Sequence, residues 1–197
     1  MRFKVSDDYP IRAYLCEDEL FIPITANCID FSIGGMFVEL EDPKAGCLEY
    51  LMKKDKIIAM NDLDEEQTAK LTSFKILSQP ELGFKEAREA KKKAEKDLGE
   101  YTDSIKMTTD FISSLKKGDI IKLFFILSEF SRFEEDEEEL LSPENRTITC
   151  DATINNKIIG YKSGKNQFAL NFSEIDGMTR EIIYRYGLRT GEDSNQK

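Results

Sequence analysis

The chain has 197 residues, 28 of them Lys or Arg and 38 Asp or Glu, for a net charge of -10, and it contains no histidine. That length suits one domain, or one domain with a large insertion, and is enough to bury a sizeable core. The acidic balance argues against broad contact with DNA or RNA, and the missing histidine removes Ser-His-Asp and Cys-His catalysis together with every histidine metal site.

Strand character comes first along the chain. Tyr9–Cys16 and Leu20–Asp30 suit a pair turned at Glu17-Asp18-Glu19. Ile22, Ile24 and Ala26 alternate, as do Met36, Val38 and Leu40, so Gly35–Leu40 extends the sheet. Pro43 and Gly46 then mark a break, and Leu48–Asn61 shows no clear period. Asp62–Leu77 opens on an acidic turn, as helices often do, and Pro80 and Gly83 break the chain again.

From Phe84 a seam runs through Phe84, Ala87, Lys91, Ala94, Leu98, Tyr101, Ile105, Thr108, Ile112 and Leu115, with charged residues between. A seam of about four heptads predicts one long amphipathic helix. Self-association through Phe84–Leu115 is the first expectation; packing on its own domain, or a hairpin with Asp62–Leu77, is the alternative. Gly99 weakens the helix by about 1 kcal/mol.

Strand character returns after Gly118. Ile120, Ile121, Leu123, Phe124, Phe125, Ile126 and Leu127 make an apolar run, expected to be buried on both sides or covered by the helix. Every residue of Glu134–Glu139 is acidic, which reads as a solvated loop ahead of a dock for a basic partner. Thr147–Tyr161 is a long strand, or a pair bent at Asn155-Asn156, and Gly164 turns the chain into Gln167–Phe172. Ile175, Met178, Ile182, Ile183 and Tyr186 sit at helical spacing and make a closing helix, and Thr190–Lys197 reads as a frayed polar tail.

No apolar run is long enough to span a membrane, and the start lacks the basic-then-apolar pattern of a secretory signal. Cys16, Cys28, Cys47 and Cys150 form no C-x-x-C pair, so zinc or a redox motif is not expected. Cys16 and Cys28 lie in strand-like apolar runs and read as buried, reduced thiols, which fits a reducing cytoplasm. Neither a GxGxxG nor a Walker loop is present. A non-enzymatic protein without a cofactor is the expectation.

The densest signal is Asp30-x-Ser32-x-x-Gly35, set between the strands around it. Asp supplies an acceptor and Ser an adaptable donor and acceptor at fixed spacing. The paired Gly34 and Gly35 have no side chain to block a ligand's approach and tolerate positive φ. The same residue types are also default turn formers, so an ordinary hairpin satisfies the pattern as well.

This segment resembles the D/N-x-S-x-x-G signature of PilZ domains, β-barrel receptors for the bacterial messenger cyclic di-GMP. Lys117-Gly118-Asp119-Ile120-Ile121-Lys122-Leu123 is similar to the family's Gly-Asp strand opening, and Phe168–Phe172 with Met178–Leu188 resembles its last strand and closing helix. The resemblance covers Met1–Glu41 and Lys117–Leu188. It implies a mainly β fold with an α insertion: an antiparallel barrel from 1–41 and 117–189 with a C-terminal helix, a helical insertion at 42–116 and a flexible tail at 190–197.

It also implies cyclic di-GMP as ligand, held by Arg2, Lys4, Asp30, Ser32, Gly34 and Gly35, and a protein partner that receives the signal. Messenger-binding PilZ domains usually carry R-x-x-x-R upstream of the Asp, because arginine forks match both phosphates and guanine edges. Here Arg2 is followed four positions later by Ser6, and if Lys4 takes the second place the first falls before Met1. Arg12 and Arg146 are weaker candidate cations. A subset of PilZ-like proteins with incomplete arginine motifs oligomerises through an inserted heptad helix, and this chain resembles that arrangement. The alternative function is therefore a degenerate PilZ scaffold that does not bind the messenger and assembles through its inserted helix.

Overall fold

The computed structural model describes residues 1–6, 9–17, 20, 22–57, 82–128, 146–160 and 163–195. They fall into two compact units. One comprises Met1–Leu15, Thr25–Leu40 and Lys116–Lys197; the other comprises Cys16–Ile24 and Glu41–Leu115.

Seven strands are described: β1 (Phe3–Lys4), β2 (Arg12–Cys16), β3 (Ile24–Ser32), β4 (Gly35–Leu40), β5 (Ile120–Ile126), β6 (Thr147–Ile159) and β7 (Asn166–Ser173). They form a seven-stranded sheet in the order β1-β3-β2-β5-β6-β7-β4, and β4 pairs back onto β3. The ring β3-β2-β5-β6-β7-β4 is thereby closed, a six-stranded antiparallel barrel. β1 stands outside the ring, paired antiparallel with the C-terminal end of β3.

Side chains alternate between the barrel interior and its outer face, as the pleat requires. Ile121, Leu123 and Phe125 face inward opposite Ala152, Cys150 and Ile148. The run from Ile120 is therefore not buried on both sides: Ile120 is 64% exposed and Lys122 is exposed. Thr147–Ile159 is one strand and does not turn at Asn155-Asn156; a bulge between Ile154 and Asn156 absorbs the irregularity. The strand expected from Tyr9 begins at Arg12, with an isolated bridge between Ser6 and Tyr9 ahead of it, and the one expected from Leu20 begins at Ile24.

Four α-helices are described: α1 (Pro43–Ile57), α2 (Phe84–Asp97), α3 (Thr102–Ser114) and α4 (Gly177–Asn195). α4 belongs to the barrel unit and buries Ile182, Ile183 and Tyr186 of the expected stripe, whereas Ile175 precedes the helix and Met178 is 56% exposed. It runs into the expected frayed tail, to Asn195, where Thr190 is buried and its hydroxyl donates to the Gly187 carbonyl at 3.1 Å.

The helical unit departs from expectation in two ways. Pro43 and Gly46, read as a break, lie inside α1. Asp42 caps that helix, its carboxylate accepting from the Lys44 N–H at 2.7 Å, and Pro43 stands at the first helical position, where its missing N–H costs nothing. The seam from Phe84 is not one helix either, for a 3-10 turn at Leu98–Tyr101 separates α2 from α3. Gly99 sits in that turn, and the Thr102 hydroxyl donates to its carbonyl at 2.8 Å.

α1 packs on α2 and α3, and Ala94, Thr108 and Ile112 of the seam are buried within the single chain. Lys54 lies 5.6 Å from the Tyr101 ring centroid, and Lys53 is buried with its ammonium 2.7 Å from Glu49. The residues Cys16–Ile24, expected in the barrel segment, group with this unit. The expected Asp62–Leu77 helix and the acidic run Glu134–Glu139 lie outside the described residues. All four cysteines are free and buried.

Candidate functional site

Simple alternation along β3 would turn Asp30 into the barrel with Ala26 and Cys28. A bulge between Cys28 and Asp30 prevents this. One extra residue, Ile29, reverses the phase, so Phe31 is buried and Asp30 and Ser32 move to the outer face. Phe31 then pairs with the buried Met36, and Asp30 with Phe37.

Ser32 pairs with Gly35 across a two-residue turn made by Ile33 and Gly34. The Ser32 hydroxyl donates to the Gly35 carbonyl and accepts from the Gly34 N–H, both at 3.3 Å, and so braces the turn. Positive φ is not what the two glycines supply, since among the described glycines only Gly118 and Gly164 adopt it. Gly35 is required by clearance: a Cβ there would overlap the Leu170 carbonyl oxygen, with the Asn171 Cα 3.2 Å away. Gly34 meets nothing within 4 Å. Gly35 also aligns with Asn171 of β7, which aligns with Thr153 of β6, so an outward polar row runs from Ser32 over a floor without a side chain to Asn171 and Thr153. Neither Asn171 nor Thr153 stands out in the sequence, because only the strand register brings them there.

β1 supplies the cations. Phe3 pairs with Phe31 and Lys4 with Asp30, and the Val5 N–H donates to the Ile29 carbonyl at 3.2 Å. Phe3 turns inward, and Lys4 shares the outer face with Asp30. The Arg2 Nε donates to the Asp30 carboxylate at 2.7 Å, with the Arg2 side chain 65% and the Asp30 side chain 22% exposed. Arg2, Lys4, Asp30, Ser32, Gly34 and Gly35 thus converge on one hairpin and its neighbouring strand. Arg12 opens β2 half-buried. Arg146 is 8% exposed, and its charge acts on Tyr186 instead.

Beneath the hairpin the Cys28 thiol donates to the Asp30 carbonyl at 3.2 Å. Burial pushes that thiol far above its usual range, and the Asp30 charge adds to the rise. The thiol is neutral and inert, a packing group. Tyr186 lies against Phe31, ring centroids 5.9 Å apart, and burial raises its phenol to about 12. Its oxygen accepts from the Ser128 N–H at 3.1 Å and donates to the Tyr9 carbonyl at 3.5 Å. Among the described residues no group of three or more Cys, Asp or Glu could hold a metal ion, and no helix is long and apolar enough to cross a membrane.

No protein-family description and no curated protein matches this chain. Among solved structures, an inhibitor of motility from Bacillus subtilis (MotI/DgrA) is similar at 13% identity with a TM-score of 0.45, over 98% of this chain. This chain spans half of that structure's length, 50%. The PilZ domain of YcgR from Escherichia coli, solved with c-di-GMP, is similar at 10% identity and a TM-score of 0.45, over 100% of this chain and 92% of that one.

Proposed function

We propose that the barrel is a PilZ-like receptor module that binds cyclic di-GMP on its outer face and relays the binding to a protein partner. The observation that carries this reading is the phase reversal at Ile29, which sets Asp30 and Ser32 outward beside Arg2 and Lys4. A hairpin built only to turn the chain needs neither the bulge nor the cations.

In this reading the ligand's phosphates and the N7 and O6 acceptors of guanine take the donors of Arg2 and Lys4. Asp30 accepts from guanine N–H groups and Ser32 adds an adaptable hydroxyl. Gly34 and Gly35 keep the floor low. Because Arg2 already holds Asp30, ligand binding is an exchange: a phosphate takes over the guanidinium and releases the carboxylate toward the base. No bond is made or broken. The output is a shift between two states, limited by the ligand's differential affinity for them. A cytoplasmic setting accords with a cytosolic messenger and four reduced thiols. The scaffold alternative needs an uninterrupted seam over Phe84–Leu115, and the turn at Leu98–Tyr101 counts against it.

Isothermal titration of cyclic di-GMP into the chain, with Asp30→Ala alongside, tests the proposal. Micromolar or tighter binding is expected, weakened at least about tenfold by the substitution, as loss of a charged hydrogen-bond partner entails. Absence of heat at high ligand concentration, or equal affinity in both proteins, overturns it.

A further inference from the structure

β1 is two residues long, and the Val5 N–H adds one flanking bond. So short a strand is too weak to hold its own register. What holds it lies on the inner side. The Phe3 ring sits between Phe31 and Tyr184, with centroids 5.4 and 6.4 Å away. Below it is Gly187, where a Cβ would overlap ring atoms Cγ, Cδ2 and Cε2 of Phe3. Glycine is unfavourable inside a helix, and Gly187 lies in the middle of α4. The notch it leaves is filled by Phe3.

Side chains alternate along β1, so the ring that enters the notch fixes the residues on either side of it, Arg2 and Lys4, on the opposite face. We infer that Phe3, seated over Gly187, is a positioning residue: it sets the register that lays Arg2 on Asp30 and Lys4 beside it, so the cations are in place before ligand arrives. This rests on the cyclic di-GMP reading for its purpose, though not for its geometry. Holding the cations in advance lowers the ordering cost of binding.

The test is a double-mutant cycle in the full chain with Phe3→Ala, Gly187→Ala and the pair. Three readouts apply: hydrogen exchange of the Val5 amide, the NMR signal of the Arg2 Nε–H that Asp30 protects, and titration with cyclic di-GMP. Each single substitution is expected to speed Val5 exchange about tenfold or more, to broaden or lose the Arg2 signal, and to weaken ligand binding. In the Phe3→Ala background Gly187→Ala should add nothing, because the ring it would strike is gone. Phe3→Leu, which keeps an apolar side chain in the notch, should restore part of each effect. If Gly187→Ala does not fold, Phe3→Ala and Phe3→Leu carry the test alone. Unchanged Val5 exchange and an unchanged Arg2 signal in Phe3→Ala overturn the anchor. A loosened strand with undiminished affinity overturns its role for the ligand. If the unsubstituted chain does not bind cyclic di-GMP, the proposed function fails, and the exchange and Arg2 measurements alone uphold or overturn the anchor.

Discussion

Gly34 and Gly35 are neighbours with opposite requirements, and alanine at each should separate them. At Gly35 the new methyl would meet backbone of β7, the Leu170 carbonyl and the Asn171 Cα, neither of which can rotate aside. β4 lies between β3 and β7 in a closed ring, so it cannot back away from one neighbour without crowding the other. Overpacking of this kind costs ~1–3 kcal/mol. Displacing the adjoining bond, in which the Phe172 N–H donates to the Gly34 carbonyl at 2.9 Å, adds about 1 kcal/mol. Gly35→Ala should therefore lose roughly 2–4 kcal/mol. Gly34→Ala meets open space at a φ outside the left-handed region, and by restricting the unfolded chain it should gain ~0.4–1 kcal/mol. With a urea dependence of about 2 kcal/mol per molar, the two midpoints should lie more than ~1 M apart. A Gly35→Ala protein within ~0.5 kcal/mol of the parent would refute the clearance argument. Equal losses at both positions would show that turn chemistry, rather than β7, demands the glycines.

The remaining predictions concern alkaline stability and the helical turn. Cys150 and Tyr186 have folded pKa values raised by burial from 9.0 to about 11 and from 10.0 to about 12. The fold favours their neutral forms, so their contributions are intact below the unfolded values and are lost as pH rises through the folded ones. Two pKa units correspond to at most roughly 2–3 kcal/mol for Tyr186, and to less for Cys150, whose thiolate solvent would partly screen. Denaturant titrations should show stability falling between pH 9 and 12, and Tyr186→Phe should remove the part lost above pH 10; an unchanged slope would contradict the burial of this phenol. Gly99→Ala, with nothing within 4 Å and no positive φ to respect, should stabilise the α2–α3 junction by up to ~1 kcal/mol in thermal unfolding. A loss of that size would show that the turn needs glycine for a reason beyond propensity.

Much of the barrel was legible because its strands carry a period of two and their ends carry Gly, Pro and Asp. What escaped did so for local reasons. Asp42-Pro43 is a helix start, yet Pro and Gly together read as a break, and only the side-chain bond to the Lys44 N–H decides between them. The seam from Phe84 kept its spacing through Leu98–Tyr101, where the backbone tightens to a 3-10 turn that residue spacing does not report. Asp30 and Ser32 were found by motif, but the bulge that turns them outward shows in the sequence only as apolar residues falling out of phase at Cys28 and Phe31. The bond from Arg2 to Asp30 spans 28 positions, and the seat of Phe3 over Gly187 spans more. Such pairings belong to the tertiary fold, and no local pattern announces them.

Closure of the ring also has a consequence in time. The β3–β4 hairpin joins adjacent residues and can form in microseconds once it leaves the ribosome. Its far edge pairs with β7, where Met36 meets Leu170. Chains grow at about 5–20 residues per second, so β4 waits on the order of ten seconds for its partner strand to be made. During that interval its backbone presents an open edge, the kind that templates association between nascent chains. The surface where Gly35 meets Leu170 is among the last parts of the barrel that synthesis can complete.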